Sequence, residues 1–241
     1  MIFYKAQLVK ISCLFALVTT GSVANESNTD YKEQVLQALQ QVKGTSHQDW
    51  GYVVKRYENE EGQVTSSIEQ FRPDYDYPQR WTLVEKNGRK PSEKEANAFI
   101  REKQKREKDK SKGSAFKLDK MIIKDTLHLI SETPNQFEMG FDVLIERLGD
   151  EAQENLNGVL VYNKQENFLQ QVRINNDEPF SPMFMVDISQ FNLTMNFFKV
   201  DNAVLPQEFR MDMKGRMSFI TDIDEVSVDT FTDYQFVGES P

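Results

Sequence analysis

The side chains suited to metal or acid–base chemistry are scattered along this 241-residue sequence and form no recognised motif. His47 and His128 each stand alone, with no second histidine at metal-binding spacing and no HExxH segment. The acidic cluster of Asp222, Asp224 and Glu225 lacks the ligand spacing and the glycine of a calcium loop. The sequence therefore predicts neither a metal site nor a cofactor.

Motifs of covalent catalysis are missing as well. The sequence has no GxSxG elbow and no glycine-rich phosphate loop, and its single cysteine, Cys13, lies in a predicted leader. Serine, histidine and carboxylate residues are present, but no spacing singles out a set of them. We therefore expect a protein that is not an enzyme, and a hydrolase of cell-envelope material is the less favoured alternative.

A periodic pattern lies near the C-terminus, where large apolar residues occupy alternate positions. This period of two predicts a β-strand with one apolar face and one polar face. The apolar members are Phe209, Met211, Met213, Met217 and Phe219, with Gly215 in the same series. Methionine is unbranched and polarisable, so it adapts to irregular partners. We interpret Met211, Met213, Met217 and Phe219 as candidate ligand-binding residues, with ordinary sheet core as the alternative.

A second pattern, over residues 92–112, predicts a charged helical insertion. Ser92 and Glu95 form a capping box, and strong helix formers follow them. Its apolar residues end at Ile100, so we expect the second half of the helix to lie in water. Residues 101–112 include seven basic and three acidic residues, which indicates a solvated arm or a docking surface for anionic headgroups or an acidic partner. The candidate docking residues are Arg101, Lys103, Lys105, Arg106 and Lys108.

The first 24 residues have the order of a secretory signal peptide. Lys5 and Lys10 precede an apolar run over 11–18, and small residues lead to a predicted cleavage site after Ala24. The apolar run is shorter than the roughly 20 residues that a bilayer span needs. We expect the mature chain to be soluble in a bacterial periplasm or an equivalent space. Because that chain has no cysteine, a sizeable core must replace disulfides.

The remaining pattern predicts one domain over residues 25–241, which we expect to be a monomer. A helix is predicted from Thr29 or Asp30 to Gly44, and another within 144–157. Strand pairs are predicted at 50–57 with 63–71, 126–132 with 136–143, 158–164 with 168–174, and 183–193 with 194–200; a break is predicted at 222–225. This profile is typical of a mainly β (α+β) fold: a strongly curved antiparallel sheet or unclosed β-barrel of roughly ten strands.

Several short segments carry a resemblance to a known family. They are Phe71-Arg72-Pro73, Arg80-Trp81, Asn157-Gly158-Val159-Leu160-Val161 and Leu205-Pro206. With these segments in this order, the chain resembles the LolA/LolB-like superfamily of periplasmic lipoprotein carriers and lipoprotein-sorting proteins. The resemblance implies an unclosed barrel with helices as a lid over an apolar cavity for acyl chains. It also implies that Arg72 helps to hold the lid and that Trp81 is the aromatic residue on the following strand, and both are candidate ligand-binding residues.

These observations predict a periplasmic binding or carrier protein for a lipid, an acyl chain or a lipoprotein, held on the inner face of a curved sheet. The alternative is a non-enzymatic interaction module of the cell envelope with a filled core, which docks through the charged helix. The expected partners are a hydrophobic ligand, an acylated protein or an envelope protein. The net charge of −9 disfavours nucleic acid, because phosphates attract basic proteins.

Overall fold

The computed structural model describes residues 23–108, 118–218 and 220–238. This part of the chain forms four α-helices and a single antiparallel sheet of eleven strands. The helices are α1 (Val23–Gly44), α2 (Glu93–Lys108), α3 (Leu118–Met121) and α4 (Gly149–Asn155). The strands are β1 (Trp50–Glu60), β2 (Gln63–Phe71), β3 (Trp81–Lys86), β4 (His128–Glu132), β5 (Gln136–Asp142), β6 (Leu156–Asn163), β7 (Phe168–Asn176), β8 (Phe180–Met183), β9 (Val186–Val200), β10 (Ala203–Met217) and β11 (Thr221–Phe236). The predicted mainly β fold class is confirmed.

The sheet is open, with β3 at one edge and β4 at the other. Its strand order is β3-β2-β1-β11-β10-β9-β7-β6-β5-β4. Strand β8 is not part of this order and pairs with β9. The first and last strands pair with each other, so distant parts of the sequence meet within the sheet. Because the edge strands do not pair, the barrel stays unclosed, as the sequence predicted.

One face of the sheet, which we call the inner face, carries the core and the helices. Phe191, Leu193 and Met195 alternate along β9 with more exposed residues and are each 3% exposed. Helix α1 lies over the neighbouring strand β7 and contacts β10, and it buries Val35 and Leu39 in the same core. Among the described helices, none is both long and apolar enough to cross a bilayer.

Helix α2 lies against the edge strand β3 and begins with the predicted capping box. The Ser92 N–H donates to Oε2 of Glu95 at 2.9 Å, and the Glu95 N–H donates to Oγ of Ser92 at 3.3 Å. The Arg89 guanidinium and the Ser92 bonds hold the pKa of Glu95 well below its ordinary value. The helix continues to Lys108, and residues 109–112 of the predicted segment lie outside the described residues.

The N-terminal helix begins earlier than predicted, at Val23 and not at Thr29 or Asp30. Oδ2 of Asp30 accepts a hydrogen bond from Nε2 of Gln34 at 3.0 Å, so this side chain bonds along the helix surface. Residues 1–22, most of the predicted signal peptide, lie outside the described residues. The helix predicted within 144–157 is shorter than expected, because only α4 is α-helical there and a 3₁₀ turn precedes it.

Two strand predictions near the C-terminus are wrong. The pair predicted over 183–200 is mostly one long strand, β9. The strand continues through Leu193 and Thr194 because this segment has no glycine or proline and threonine suits a strand. The break predicted at 222–225 lies inside β11. There, Asp222 stands opposite Arg216 of β10, and this opposite-charge pair supports the ladder.

Candidate functional site

The candidate site lies on the inner face at the boundary between β9 and β10. We call the row formed by Phe209, Met211, Met213 and Met217 of β10 the methionine stripe. Met211 and Met213 stand directly opposite Leu193 and Phe191 of β9. The two β9 residues are buried, whereas Met211 and Met213 are half-buried and Met217 is exposed. At these two pairs, side-chain burial therefore decreases from β9 to β10, and it decreases further along the stripe to Met217.

Gly215 interrupts the stripe because β9 passes too close for a side chain at this position. A Cβ atom there would lie 2.2 Å from the backbone oxygen of Asp187. The register between β9 and β10 shifts at the same point, which marks a bulge. Phe219, predicted as the end of the apolar series, lies outside the described residues.

Beyond the stripe, four charged side chains meet on the inner face, and we call Arg56, Glu69, Lys103 and Asp229 the charge cluster. Asp229 stands opposite Phe209 of the stripe on one side and opposite Arg56 of β1 on the other. Arg56 donates to Asp229, and its Nε lies 3.1 Å from Oε1 of Glu69 on β2. Lys103 of α2 donates from Nζ to Oε2 of Glu69 at 2.7 Å. The cluster thus joins three strands and one helix.

The electrostatics of the charge cluster are set by burial and by mutual attraction. Glu69 is 5% exposed, and its burial favours the neutral acid; the charges of Arg56 and Lys103 outweigh this and lower its pKa. Burial raises the pKa of Asp229 despite Arg56, and burial lowers the pKa of Lys103 despite Glu69. Two cations and two carboxylates therefore balance each other beside an apolar surface.

Trp81 holds helix α2 against the sheet. This residue is 9% exposed, and Nζ of Lys103 lies 4.2 Å from the centre of its ring. Its ring contacts Phe99 with a centroid separation of 6.4 Å, and its Nε1 donates to Oε1 of Glu107 at 3.3 Å. Trp81, a predicted ligand-binding residue, is thus placed as the contact between β3 and α2.

Aromatic rings continue from Trp81 across the sheet. The ring of Tyr52 on β1 lies 5.2 Å from Phe71, 6.1 Å from Trp81, 5.8 Å from Phe231 and 5.6 Å from Tyr234. Burial raises the pKa of Tyr52 to about 12, so its hydroxyl stays neutral over the physiological range. These rings give the charge cluster a hydrophobic neighbour that extends to β10, because Phe231 lies 5.5 Å from Phe209 of the stripe.

Arg72 lies apart from the methionine stripe. Its guanidinium stacks 3.7 Å from the ring centre of Tyr75 in the same loop, and its N–H donates to the backbone oxygen of Arg80 at 2.8 Å. It also borders a small polar pocket of about 70 Å³ with Asp74 and Asp233. None of the stripe residues lines this pocket, so the structure does not join Arg72 to the stripe.

Comparison with known proteins finds only distant similarity. No protein-family model matches the chain, and no curated protein matches its sequence. Among solved structures, the chain is similar to a DUF1329 family protein from Desulfovibrio piger, with 10% sequence identity and a TM-score of 0.36. The match covers 88% of this chain and 94% of that chain.

The candidate docking residues on α2 divide into two groups. Arg101, Lys105, Arg106 and Lys108 are exposed, and Arg106 pairs with Glu102 one turn earlier on the helix. Lys103 instead faces the sheet within the charge cluster, which corrects the expectation that the whole second half of the helix lies in water. Four of the five docking residues therefore remain on the solvent side.

The described residues bring no three histidine, cysteine or carboxylate side chains into an arrangement that could hold a metal ion. Asp222 and Glu225 point to opposite faces of β11, because they lie an odd number of positions apart on the strand. The Nδ1 atom of His128 lies 3.0 Å from the backbone oxygen of Thr126.

Sequence reasoning missed the charge cluster. Arg56 and Asp229 lie 173 positions apart, so no local pattern connects them. One signal was available: Tyr52, Val54 and Arg56 alternate along β1, so a charged residue occupies a position that the strand period assigns to the inner face. A charge at such a position needs a buried partner.

Proposed function

We propose that this chain is a non-enzymatic binding protein for an acyl-chain ligand, which lies along the methionine stripe. One observation carries the proposal: the apolar inner face continues past the edge of its helical cover. Residues of β9 on this face are buried, whereas Met211 and Met213 beside them on β10 are only half-buried. A protein whose inner face served only as core would gain stability by covering these side chains.

The chemistry of the stripe suits a flexible hydrocarbon chain. Burial of apolar surface contributes about 25 cal/mol per Å², whether the partner is a side chain or a ligand. Phe209, Met211 and Met213 lie in one row along β10, so an extended chain would contact them in turn. Methionine side chains adapt to ligands of different shape, which favours a class of acyl chains over one compound.

Helix α2 does not block the stripe, because three strands lie between β3, where the helix rests, and β10. The small pocket beside Arg72 is polar and holds about 70 Å³, whereas small-molecule sites usually span roughly 300–1,000 Å³. Helix α2 is attached to the sheet through Trp81 and through the bond between Lys103 and Glu69. It is also attached through the ion pairs of Glu95 with Lys86 and of Glu107 with Arg80. The proposed site is therefore the stripe, and neither the small pocket nor the contact under α2.

The proposed location is the periplasm, on the basis of the signal-peptide pattern in the sequence. The resemblance of its motifs to the LolA/LolB-like carriers supports the same setting and the same ligand class. Free lipid, an acylated protein and a lipoprotein all present the acyl chain that the stripe would contact, so the proposal is made for the acyl chain itself.

The experiment is native mass spectrometry of protein purified from periplasm without detergent, followed by lipid extraction of the same sample. The proposal expects a bound species whose mass matches a phospholipid, a fatty acid or an acylated peptide. A clean apo mass, together with no binding of a fluorescent fatty-acid probe, would contradict the proposal.

A second candidate function is docking to an envelope partner through α2. Its supporting observation is the exposure of Arg101, Lys105 and Lys108 on one helix of an acidic protein. Replacing all three with glutamine should abolish capture of an acidic partner from the envelope while leaving the fold intact. Unchanged capture by that variant would remove this candidate.

A further inference from the structure

Two neighbouring turns at one end of the sheet expose a group of large apolar side chains. The β8–β9 turn follows Met183, and the β10–β11 turn follows Met217. We call Met183, Phe184, Met185, Met217 and Ile220 the apolar tip. Phe184 and Ile220 are each 87% exposed, and the other three are 44–61% exposed. Exposed apolar groups of this size mark interaction sites on soluble proteins.

One hydrogen bond joins the two turns of the apolar tip, and another lies within the β10–β11 turn. The Ser218 N–H donates to the backbone oxygen of Met185 at 2.7 Å, and the Ile220 N–H donates to the backbone oxygen of Met217 at 3.3 Å. Both Met185 and Ser218 have positive φ, which marks tight turns. Because these backbone donors already have partners, moving them into a less polar medium costs less than it would for open loops.

Charged side chains beside the tip have hydrogen-bonding or ionic partners within the protein. Arg216 and Asp222 flank the β10–β11 turn, with Nε and Oδ1 3.4 Å apart. Asp187 accepts a hydrogen bond from the Ser181 hydroxyl at 2.6 Å beside the other turn. These three charged residues sum to −1, so attraction of the tip to a lipid surface would rest on its apolar side chains and not on its charge.

We propose that the apolar tip inserts into the interfacial region of a lipid bilayer. Side chains that are 87% exposed stand out from the protein, and a protein partner would need a matching pocket for each of them. A bilayer interface accepts an exposed apolar tip without shape complementarity, and its headgroup region suits the polar side chains around the tip.

The position of the tip adds a second consequence, which rests on the proposed acyl-chain function. Met217 belongs both to the tip and to the methionine stripe. Insertion of the tip therefore places the exposed end of the stripe at the membrane surface. An acyl chain leaving the bilayer would meet Met217 first and then Met213, with Gly215 between them.

The test is flotation of the protein with phosphatidylcholine vesicles, at low and at high salt. We compare wild type with a tip variant, Phe184→Ser with Ile220→Ser, and with a control variant, Val84→Ser with Ile130→Ser, which alters exposed apolar residues on the edge strands. Wild type and the control should float equally at both salt concentrations. The partition coefficient of the tip variant for the vesicles should be lower by about tenfold or more, because the variant loses two large apolar side chains.

Equal flotation of the tip variant and wild type would overturn the proposal, and so would the absence of wild-type flotation. Wild-type self-association that the tip variant loses would also overturn it and assign the tip to a second copy of the chain. Flotation lost at high salt would point instead to the basic face of α2. A fluorescent fatty-acid probe should bind the tip variant and wild type alike, which separates failure of this proposal from failure of the ligand-binding function.

Discussion

Glu69 lies at the centre of the charge cluster and is its most deeply buried member. It accepts bonds from Arg56, Lys103 and the Ser67 hydroxyl, so both carboxylate oxygens have partners. Removing its charge would leave two cations beside apolar side chains with only Asp229 to balance them. The energetic consequence at this residue is larger than at a surface ion pair.

We predict that Glu69→Gln lowers the free energy of unfolding by about 2–4 kcal/mol, because it breaks a buried ion pair. Chemical denaturation at neutral pH measures the change. The matched control is Glu138→Gln, since Glu138 pairs with the more exposed Arg173 at 2.9 Å; the expected loss there is about 1 kcal/mol or less. Equal losses in the two variants would show that Glu69 contributes no more to stability than a carboxylate in a more exposed ion pair.

The same variant has a predicted pH dependence. The pKa of Glu69 in the folded protein lies below its ordinary value of 4.5, so its ionised form stabilises the fold above that pH. This contribution is lost as the pH falls from about 4.5 through the lowered pKa. The stability difference between wild type and Glu69→Gln should therefore shrink in acid. A difference that stays constant between neutral pH and pH of about 3 would contradict the assignment.

At the scale of elements, α2 is a helix whose attachment depends on a few side chains. Its capping box could be predicted from Ser92 and Glu95, because these residues lie within one turn. Its contact with the sheet could not, because Lys103 reaches Glu69, 34 positions earlier in the chain. Strand partners at such separations follow from topology and leave no periodic signal in the sequence.

We predict that Lys103→Ala speeds amide hydrogen exchange in α2 by about tenfold while exchange in α1 stays unchanged. The substitution removes the bond to Glu69 and the cation over Trp81. Lys105→Ala is the control, because it makes the same chemical change on the exposed side of the same helix. Exchange that rises equally in both variants would show that Lys103 does not hold the helix.

The pairing of β9 with β10 is the second element-scale feature, and it depends on Gly215. We predict that Gly215→Ala destabilises the fold by about 2 kcal/mol, because the added Cβ would lie 2.2 Å from a backbone oxygen of β9. Gly44→Ala is the control: a Cβ at this position meets no atom within 4 Å. Thermal unfolding of the two variants measures the difference, and a near-neutral Gly215→Ala would contradict the close approach.

Strand lengths show why the sequence predicted the sheet but not all of its details. The period of two along β10 identifies its faces, and short turns such as 61–62 mark hairpins. The acidic residues at 222–225 resemble a loop when considered alone. They continue β11 because basic residues of β10, such as Arg216, stand opposite them. The secondary structure of this segment is therefore determined by its cross-strand partners and not by local propensity.

At the scale of the whole molecule, the inner face is unevenly covered. Helix α1 lies over β7 and the start of β10, α2 lies at the β3 edge, and the methionine stripe continues along β10 toward the apolar tip. The alternation of the stripe could be predicted from sequence. The extent of its cover could not, because cover depends on where helices far away in the chain come to rest.

The central claim is that the methionine stripe binds an acyl chain, and titration with a fluorescent fatty-acid probe tests it most directly. The stripe variant is Met211→Gln with Met213→Gln. Its control is Lys214→Gln with Arg216→Gln, which changes two residues on the opposite face of the same strand. We predict saturable binding to wild type and control, and affinity weaker by about tenfold or more in the stripe variant. No binding to wild type, or one affinity for all three proteins, would contradict the claim.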